Sequence, residues 1–189
     1  MLDERTRKQL LDIADLSIRQ GLETGRPLAL NINDLPETLR EQGASFVTLK
    51  IDGELRGCIG TLQAYQALGQ DVAEHAFAAA FQDPRFPPLR VEEYPALDIH
   101  ISVLQAPEPI PCHTEAELLE QLQPGKDGLI LEDGPRRATF LPSVWESLPD
   151  KHDFVQQLKL KAGIPLDHWS PGMRCMRYGV EEFGGHVAA

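Results

Sequence analysis

Apolar and polar positions follow two different periods in the first half of the chain. Residues 46–51 and 97–103 alternate apolar with polar side chains, which is the period of a strand with one buried face. Over 4–23 and 66–82, apolar residues instead recur every three to four positions, which predicts two amphipathic helices. The first half is therefore predicted to pack two long helices with strands.

Two dipeptides mark turns between strands. Asp52-Gly53 follows the first alternating run, and both turn positions tolerate a positive φ, so residues 45–60 are predicted to form a β-hairpin. Asp133-Gly134 predicts a second hairpin between 129–132 and 137–141. In the first hairpin, Arg56 and Cys58 lie two residues apart, and regular strand alternation would place both side chains on one face.

The second half of the chain adds a linker, short helices and a closing strand. Prolines 107, 109 and 111 predict an extended linker and a crossover between subdomains. Helices are predicted to begin after Thr114, at 143–148 and at 151–162; the closing strand is predicted over 173–183, and residues 184–189 are predicted to fray. Interleaved helices and hairpins predict an α+β fold with a largely antiparallel or mixed sheet.

Charge and composition exclude several classes of function. The 189 residues carry 18 basic and 29 acidic side chains, a net charge of −11. This balance argues against nonspecific nucleic-acid binding and against an anionic membrane surface. No apolar run reaches the length of a membrane-spanning helix, and the N-terminal residues do not resemble a secretory signal.

Cysteine usage predicts a reducing compartment. The three cysteines are far apart and odd in number, which favours a cytoplasmic location over a disulfide scaffold: Cys58, Cys112 and Cys175. No Cys-x-x-Cys or His-x-x-x-His pair indicates zinc, so we expect neither a metal nor a cofactor. A metal site built from scattered donors is the alternative: His100, His152, Asp153 and His168.

Cys58 is the candidate catalytic residue. A nucleophilic or redox thiol needs a histidine, a cation or a helix N-terminus to stabilise its thiolate. Arg56 could supply the cation, and the helix that begins near Ala67 could supply amides. Four histidines could pair with the thiol, and no spacing singles one out: His75, His100, His152 and His168. The alternative is an inert, packed cysteine.

Two further segments have both a binding and a structural interpretation. Gly57 and Gly60 could expose backbone amides to an anion, or they could permit a bulge or a close approach of another backbone. The proline-rich loop at 83–88 is stiff. It either holds Arg85 at the edge of a cleft or forms a surface turn with Phe86 in the core.

Residues 55–61 resemble the signature of the AMMECR domain family, whose bacterial and archaeal members are called AmmeMemoRadiSam system protein A. The resemblance covers roughly residues 8–183. It extends to further motifs: Phe46-Val47-Thr48-Leu49 with Gly53, the 83–89 loop, Gly128-Leu129-Ile130-Leu131, Ala138-Thr139-Phe140-Leu141-Pro142, and Lys161-Ala162-Gly163 with Trp169.

This resemblance implies a single AMMECR domain over 8–183, made of two intertwined subdomains with a cleft between them. The motif residues that it places around the cleft are Arg56, Gly57, Cys58, Gly60, Asp83, Arg85 and Phe86. The family is linked with a Memo-like protein and a radical SAM protein, which are the expected partners. The resemblance supplies no reaction.

Three hypotheses follow for these residues. In the favoured one, the chain is a binding module in which Arg56 and Arg85 hold a small anionic ligand or a partner segment by charge-assisted hydrogen bonds. In the second, it is an enzyme that uses Cys58 as a nucleophile or redox thiol. In the third, the glycines and the cysteine only permit a tight contact between sheet and helix.

Overall fold

The computed structural model describes residues 1–186. Its helices are α1 (Glu4–Thr24), α2 (Glu37–Arg40), α3 (Leu68–Phe81), α4 (Glu115–Gln121) and α5 (Lys151–Ala162). Its strands are β1 (Ser45–Ile51), β2 (Glu54–Gly60), β3 (Leu97–Leu104), β4 (Glu108–Pro109), β5 (Gly128–Asp133), β6 (Arg136–Phe140), β7 (Arg174–Tyr178) and β8 (Val180–His186). None of the described helices is long and apolar enough to cross a membrane.

The chain forms two compact units. The first comprises Met1–Leu104 together with the segment that begins at Glu181, and the second comprises Gln105–Val180. The predicted α+β fold with two subdomains is thereby confirmed, and the first boundary falls just before the predicted proline linker. The cleft that the resemblance implies between the subdomains stays a prediction.

In the first unit, a four-stranded sheet packs with helices α1 and α3. The strand order is β2-β1-β3-β8, and β1 is antiparallel to both of its neighbours. The alternating residues of β1 and β3 bury one face of the sheet against apolar residues of both helices, as the sequence predicts. Ser17 of α1 donates a hydrogen bond to the Ala73 carbonyl of α3, which fixes the contact between the two helices.

The hairpin of β1 and β2 contains a β-bulge. The sequence predicts a bulge near Gly57 and Gly60 but not which residue is inserted. Its turn has Asp52 at φ 52° and Gly53 at φ 79°, as an Asp-Gly hairpin requires. Lys50 pairs with Leu55, but Leu49 pairs with Gly57, so Arg56 is the extra residue. Beyond the bulge, Cys58 lies opposite Thr48. Without the bulge, the two-residue turn would place Cys58 opposite Val47, on the buried face.

The prediction that Arg56 and Cys58 share a face is therefore wrong. Strict alternation holds only in a regular strand, and the inserted residue shifts the alternation by one position. Gly57 is left on the buried face, where it lies against α3. A Cβ atom at Gly57 would be 2.0 Å from the Ala79 carbonyl oxygen, so no larger residue fits without moving the helix.

The second unit has its own sheet and core. The strand order is β4-β7-β5-β6, and all described pairings are antiparallel. Helix α5 covers the predicted residues 151–162 and is capped by Gly163, as predicted; the side chain of Asp150 caps its first turn. Its Phe154 stacks on Trp145 with ring centroids 3.7 Å apart, at the centre of this core.

The predicted closing strand is corrected by the structure. Residues 173–183 form two strands in different sheets, because the chain leaves the second sheet at Gly179 and joins the first as β8. Gly179 accepts a hydrogen bond from the Gln105 amide, beside the point where the chain first crosses over. Strand β8 also includes residues 184–186 of the predicted frayed tail, while 187–189 lie outside the described residues.

Candidate functional site

Arg56 is held in a buried ion pair behind the bulge. Its Nε donates to Glu93 Oε2 at 2.8 Å, and its Nη2 donates to Glu93 Oε1 at 3.2 Å and to the Pro87 carbonyl at 2.8 Å. Only 10% of the side chain is exposed. Within residues 1–186, the buried Nη1 has no hydrogen-bond partner. Arg56 is therefore committed to the 83–93 segment and not to the thiol of Cys58.

Glu93 is kept ionised by this arrangement. The Arg56 hydrogen bond lowers the pKa of Glu93 to about 2 against the opposing effect of burial, and the Arg90 amide acts in the same direction as Arg56. The same carboxyl group in the unfolded chain has a pKa near 4.5. Between pH 4.5 and pH 2 the folded protein therefore binds fewer protons at Glu93 than the unfolded chain does. The ion pair stabilises the fold above pH 4.5 and loses that effect towards pH 2.

Replacing Glu93 with glutamine is expected to destabilise the protein at pH 7 by about 2 kcal/mol, since Arg56 is left buried without its counter-charge. The difference from the wild type should shrink as the pH falls from 4.5 to 3, because the unfolded wild-type chain takes up a proton at Glu93 in this range while the folded chain stays ionised. Urea unfolding at pH 7, 5 and 3 measures it, with the exposed Glu92→Gln as control. A difference independent of pH would contradict the ion pair.

Asp83 is the centre of a second network. This carboxylate is 4% exposed, and it accepts hydrogen bonds from the Cys58 amide at 3.0 Å and from the Arg85 amide, Nε and Nη2. The side-chain hydrogen bond from Arg85 holds the pKa of Asp83 well below its usual range, despite burial. Arg85 Nη2 also lies 3.5 Å from the Cys58 carbonyl oxygen. Asp83 thus ties the 83–88 loop to strand β2.

One amide of the glycine motif, that of Cys58, is therefore already hydrogen-bonded to a carboxylate. The Cys58 N–H donates to the protein's own Asp83, which removes it from the set of amides that the glycine motif offers to a ligand. At the N-terminus of α3, the Leu68 amide donates to the Glu41 carbonyl. At Gly60, a Cβ atom would be 2.4 Å from the Ser45 carbonyl oxygen, so this glycine also has a packing role.

The Cys58 thiol is half-buried and lies against a polar side chain of the neighbouring strand. Its Sγ lies 3.2 Å from the Thr48 hydroxyl, across the β1–β2 pair. Among residues 1–186, no histidine is hydrogen-bonded to this sulfur. His75 instead contacts Asp71 and Ser45 beneath α3, and His100 lies opposite Thr48 on β3, one strand further away.

The other donors of the alternative metal site lie in the second unit: His152, Asp153 and His168. His168 Nε2 lies 2.8 Å from an oxygen of Asp133. His152 is exposed beside Asp150 and Asp153 at the start of α5. Exposed acidic groups are common at a helix N-terminus, because their negative charge interacts favourably with the helix dipole. This cluster therefore has a structural explanation.

Arg85 and Phe86 form the exposed part of the site. The Arg85 side chain is 55% exposed, and the half-buried ring of Phe86 lies between two guanidinium groups. Its centroid is 5.5 Å from Arg85 Cζ and 5.8 Å from Arg56 Cζ. The alternative that puts Phe86 in the core is wrong, because the ring stacks against cations rather than apolar core residues.

Sequence reasoning missed three groups of this site. Glu93 lies 37 residues from Arg56, so only the fold reveals the pair. The Pro87 carbonyl is a backbone acceptor and leaves no trace in the residue types. Thr48 could have been found, since a bulge at Gly57 moves Cys58 opposite it, but the glycines did not give the position of the inserted residue.

Comparisons with known proteins concern nearly the whole chain. The family model described as AMMECR1 matches residues 11–183. A protein of Methanothermobacter thermautotrophicus is 36% identical over 182 residues, which cover 93% of this chain and 92% of its own. Protein MJ0810 of Methanocaldococcus jannaschii is 38% identical over 160 residues, or 80% and 78% of the two chains.

A solved structure has the same fold. The crystal structure of uncharacterized protein PH0010 from Pyrococcus horikoshii superposes with a TM-score of 0.77 at 32% sequence identity. The match covers 93% of this chain and 89% of that one. The names of these proteins state no activity, so the comparisons bear on family and fold.

Proposed function

Since this chain belongs to the AMMECR1 family, we propose that it acts as a binding module whose recognition surface is formed by Arg85 and Phe86, beside Cys58. The observation that carries the proposal is the way Arg85 is held. Asp83 fixes its Nε and Nη2 side-on, while more than half of the side chain stays exposed. A fixed, exposed guanidinium loses little conformational entropy when it binds a ligand.

The proposed ligand carries a carboxylate or phosphate group. Arg85 Nη1 forms no hydrogen bond within residues 1–186, so its two N–H groups can donate to an anion. Three guanidinium groups gather here against the two carboxylates of Asp83 and Glu93: Arg56, Arg85 and Arg90. This patch is locally cationic on a chain with a net charge of −11, and Phe86 adds a ring face for stacking.

Replacing Arg85 with glutamine is expected to weaken binding of an anionic probe about tenfold, because a charge-assisted hydrogen bond is lost. Inorganic pyrophosphate and citrate are the probes, and isothermal titration calorimetry is the measurement. Arg90→Gln is the matched control, since Arg90 is also exposed and pairs with a carboxylate of the same patch. Equal losses of affinity in both variants would mean that the probe responds only to the total charge of the patch, which would contradict a specific role for Arg85. No loss in Arg85→Gln would overturn the proposal.

The proposed partners are a Memo-like protein and a radical SAM protein, in the cytoplasm. The support is the family membership together with three free cysteines, which suit a reducing compartment. Co-purification of the chain with each of these two proteins from the same genome tests this. Arg85→Gln should lower recovery of the partner while Arg90→Gln leaves it unchanged.

The enzyme hypothesis rests on Cys58 with Arg85 as its neighbouring cation, since Arg85 Nη2 lies 3.5 Å from the Cys58 carbonyl oxygen. The hydrogen bond to Asp83 raises the pKa of Arg85, so its guanidinium stays charged beside this strand. Cys58→Ala separates the two functions in the same titrations. Retained binding by Cys58→Ala supports the binding module, whereas turnover of a bound electrophile by the wild type alone would support catalysis.

A further inference from the structure

The second unit contains a pair of thiols in contact. The sulfur atoms of Cys112 and Cys175 lie 3.3 Å apart. The fold brings them together because β4 pairs with β7, and the Ile110 amide extends that pairing by donating to the Cys175 carbonyl. Cys112 follows two residues later. Neither cysteine belongs to the Arg85 surface, so the pair requires a separate explanation.

The two thiols differ in their environments. Cys175 is 4% exposed, and burial, assisted by the Cys112 thiol, raises the pKa of Cys175 well above its ordinary value. Cys112 is only half-buried and borders a cavity of about 270 Å³. The other residues that line this cavity are His113, Trp169, Ser170 and Pro171. One thiol is thus reachable by a small molecule, and the other is shielded directly behind it.

We propose that this pair is an oxidation site for small hydroperoxides, with Cys112 as the attacking thiol and Cys175 as the resolving thiol. The Cys112 thiolate attacks one peroxide oxygen, the O–O bond breaks, and the other oxygen takes a proton and leaves as water or an alcohol. Cys112 becomes a sulfenic acid. Cys175 then attacks that sulfur, the S–O bond breaks, and water leaves with the Cys175 proton.

The product is an intramolecular disulfide, and two electrons have passed from the two sulfurs to the peroxide. The geometry favours this outcome over further oxidation of Cys112. A disulfide bond is about 2 Å long, so the sulfurs need to approach by little more than 1 Å, which a small rotation of the partly exposed side chain can supply. The cavity is several times the ~30 Å³ of a water molecule, so it admits a hydroperoxide.

The test treats the reduced full-length protein with hydrogen peroxide and follows its intact mass. We expect the loss of two hydrogen atoms, reversed by dithiothreitol. Trypsin should then yield a cross-linked pair, because Cys112 falls in the peptide 91–126 and Cys175 in the tripeptide 175–177. Cys58→Ser should form the same cross-link, since Cys58 takes no part in it.

Two further variants test the roles of the two thiols separately. Cys175→Ser should accumulate a sulfenic acid on Cys112, and trapping by dimedone should rise about tenfold over the wild type, because the resolving thiol is gone. Cys112→Ser should abolish the cross-link while circular dichroism stays that of the wild type. Sulfinic acid on Cys112 with Cys175 still reduced, or oxidation of Cys58 before Cys112, would overturn the proposal.

Discussion

Substituting alanine for Gly57 is expected to lower the free energy of unfolding by about 3 kcal/mol, and valine by more. The added Cβ would meet the Ala79 carbonyl oxygen at 2.0 Å and its carbonyl carbon at 2.9 Å. Both are backbone atoms of α3, so no side-chain rotation relieves the clash. The helix would have to move away from the sheet, and the well-packed core between them would open.

Urea unfolding of Gly57→Ala measures this loss, and Gly185→Ala is the matched control. Gly185 also lies in a strand of the first sheet, has no positive φ, and has no atom within 4 Å of an added Cβ. Its substitution should change stability by less than about 1 kcal/mol. Similar losses in the two variants would mean that the tight contact at Gly57 carries no special cost.

Removing the Asp83 side chain is the second change with a large expected effect. Asp83→Ala should destabilise the protein by about 3 kcal/mol, since the Cys58 amide is left without its partner and three hydrogen bonds from Arg85 are lost. Arg85 would also be free to adopt other rotamers. Binding of the anionic probe should therefore weaken in Asp83→Ala although Arg85 itself is present.

Asp12→Ala is the control for this prediction. Asp12 pairs with Lys8 on the exposed face of α1, where 57% of its side chain is in contact with solvent. An exposed pair of this kind contributes less than about 1 kcal/mol. If Asp83→Ala proved as mild as Asp12→Ala, or if it left probe binding unchanged, Asp83 could not be the group that positions Arg85.

The local sequence pattern was sufficient to predict those helices and turns that depend on contacts between residues close in sequence. Helix α1 ends where the left-handed Gly25 follows it, and α3 has the alanine-rich face that the spacing predicts. The Asp52-Gly53 turn fixes the hairpin because the turn conformation depends on those two residues. In each case the deciding interaction spans only a few residues.

The sequence predicts which residues belong to the site but not how they pair. The motif residues Arg56, Cys58, Asp83 and Arg85 do gather in the first unit, but their pairing differs from the prediction. One inserted residue in β2 decides which face Cys58 occupies, and a strand pattern with two glycines does not locate that residue. Glu93 is the counter-ion of Arg56 for reasons of tertiary packing, which no local spacing encodes.

The path of β8 determines the order in which the two sheets can be completed during synthesis. The segment that forms this strand leaves the ribosome after all four strands of the second sheet, although it pairs with β3 near the middle of the chain. The second unit therefore has all of its strands while the nascent first unit still exposes an unpaired edge at β3. An unpaired strand edge of this kind can pair with another chain, so we expect association between growing polypeptides to be favoured until β8 forms.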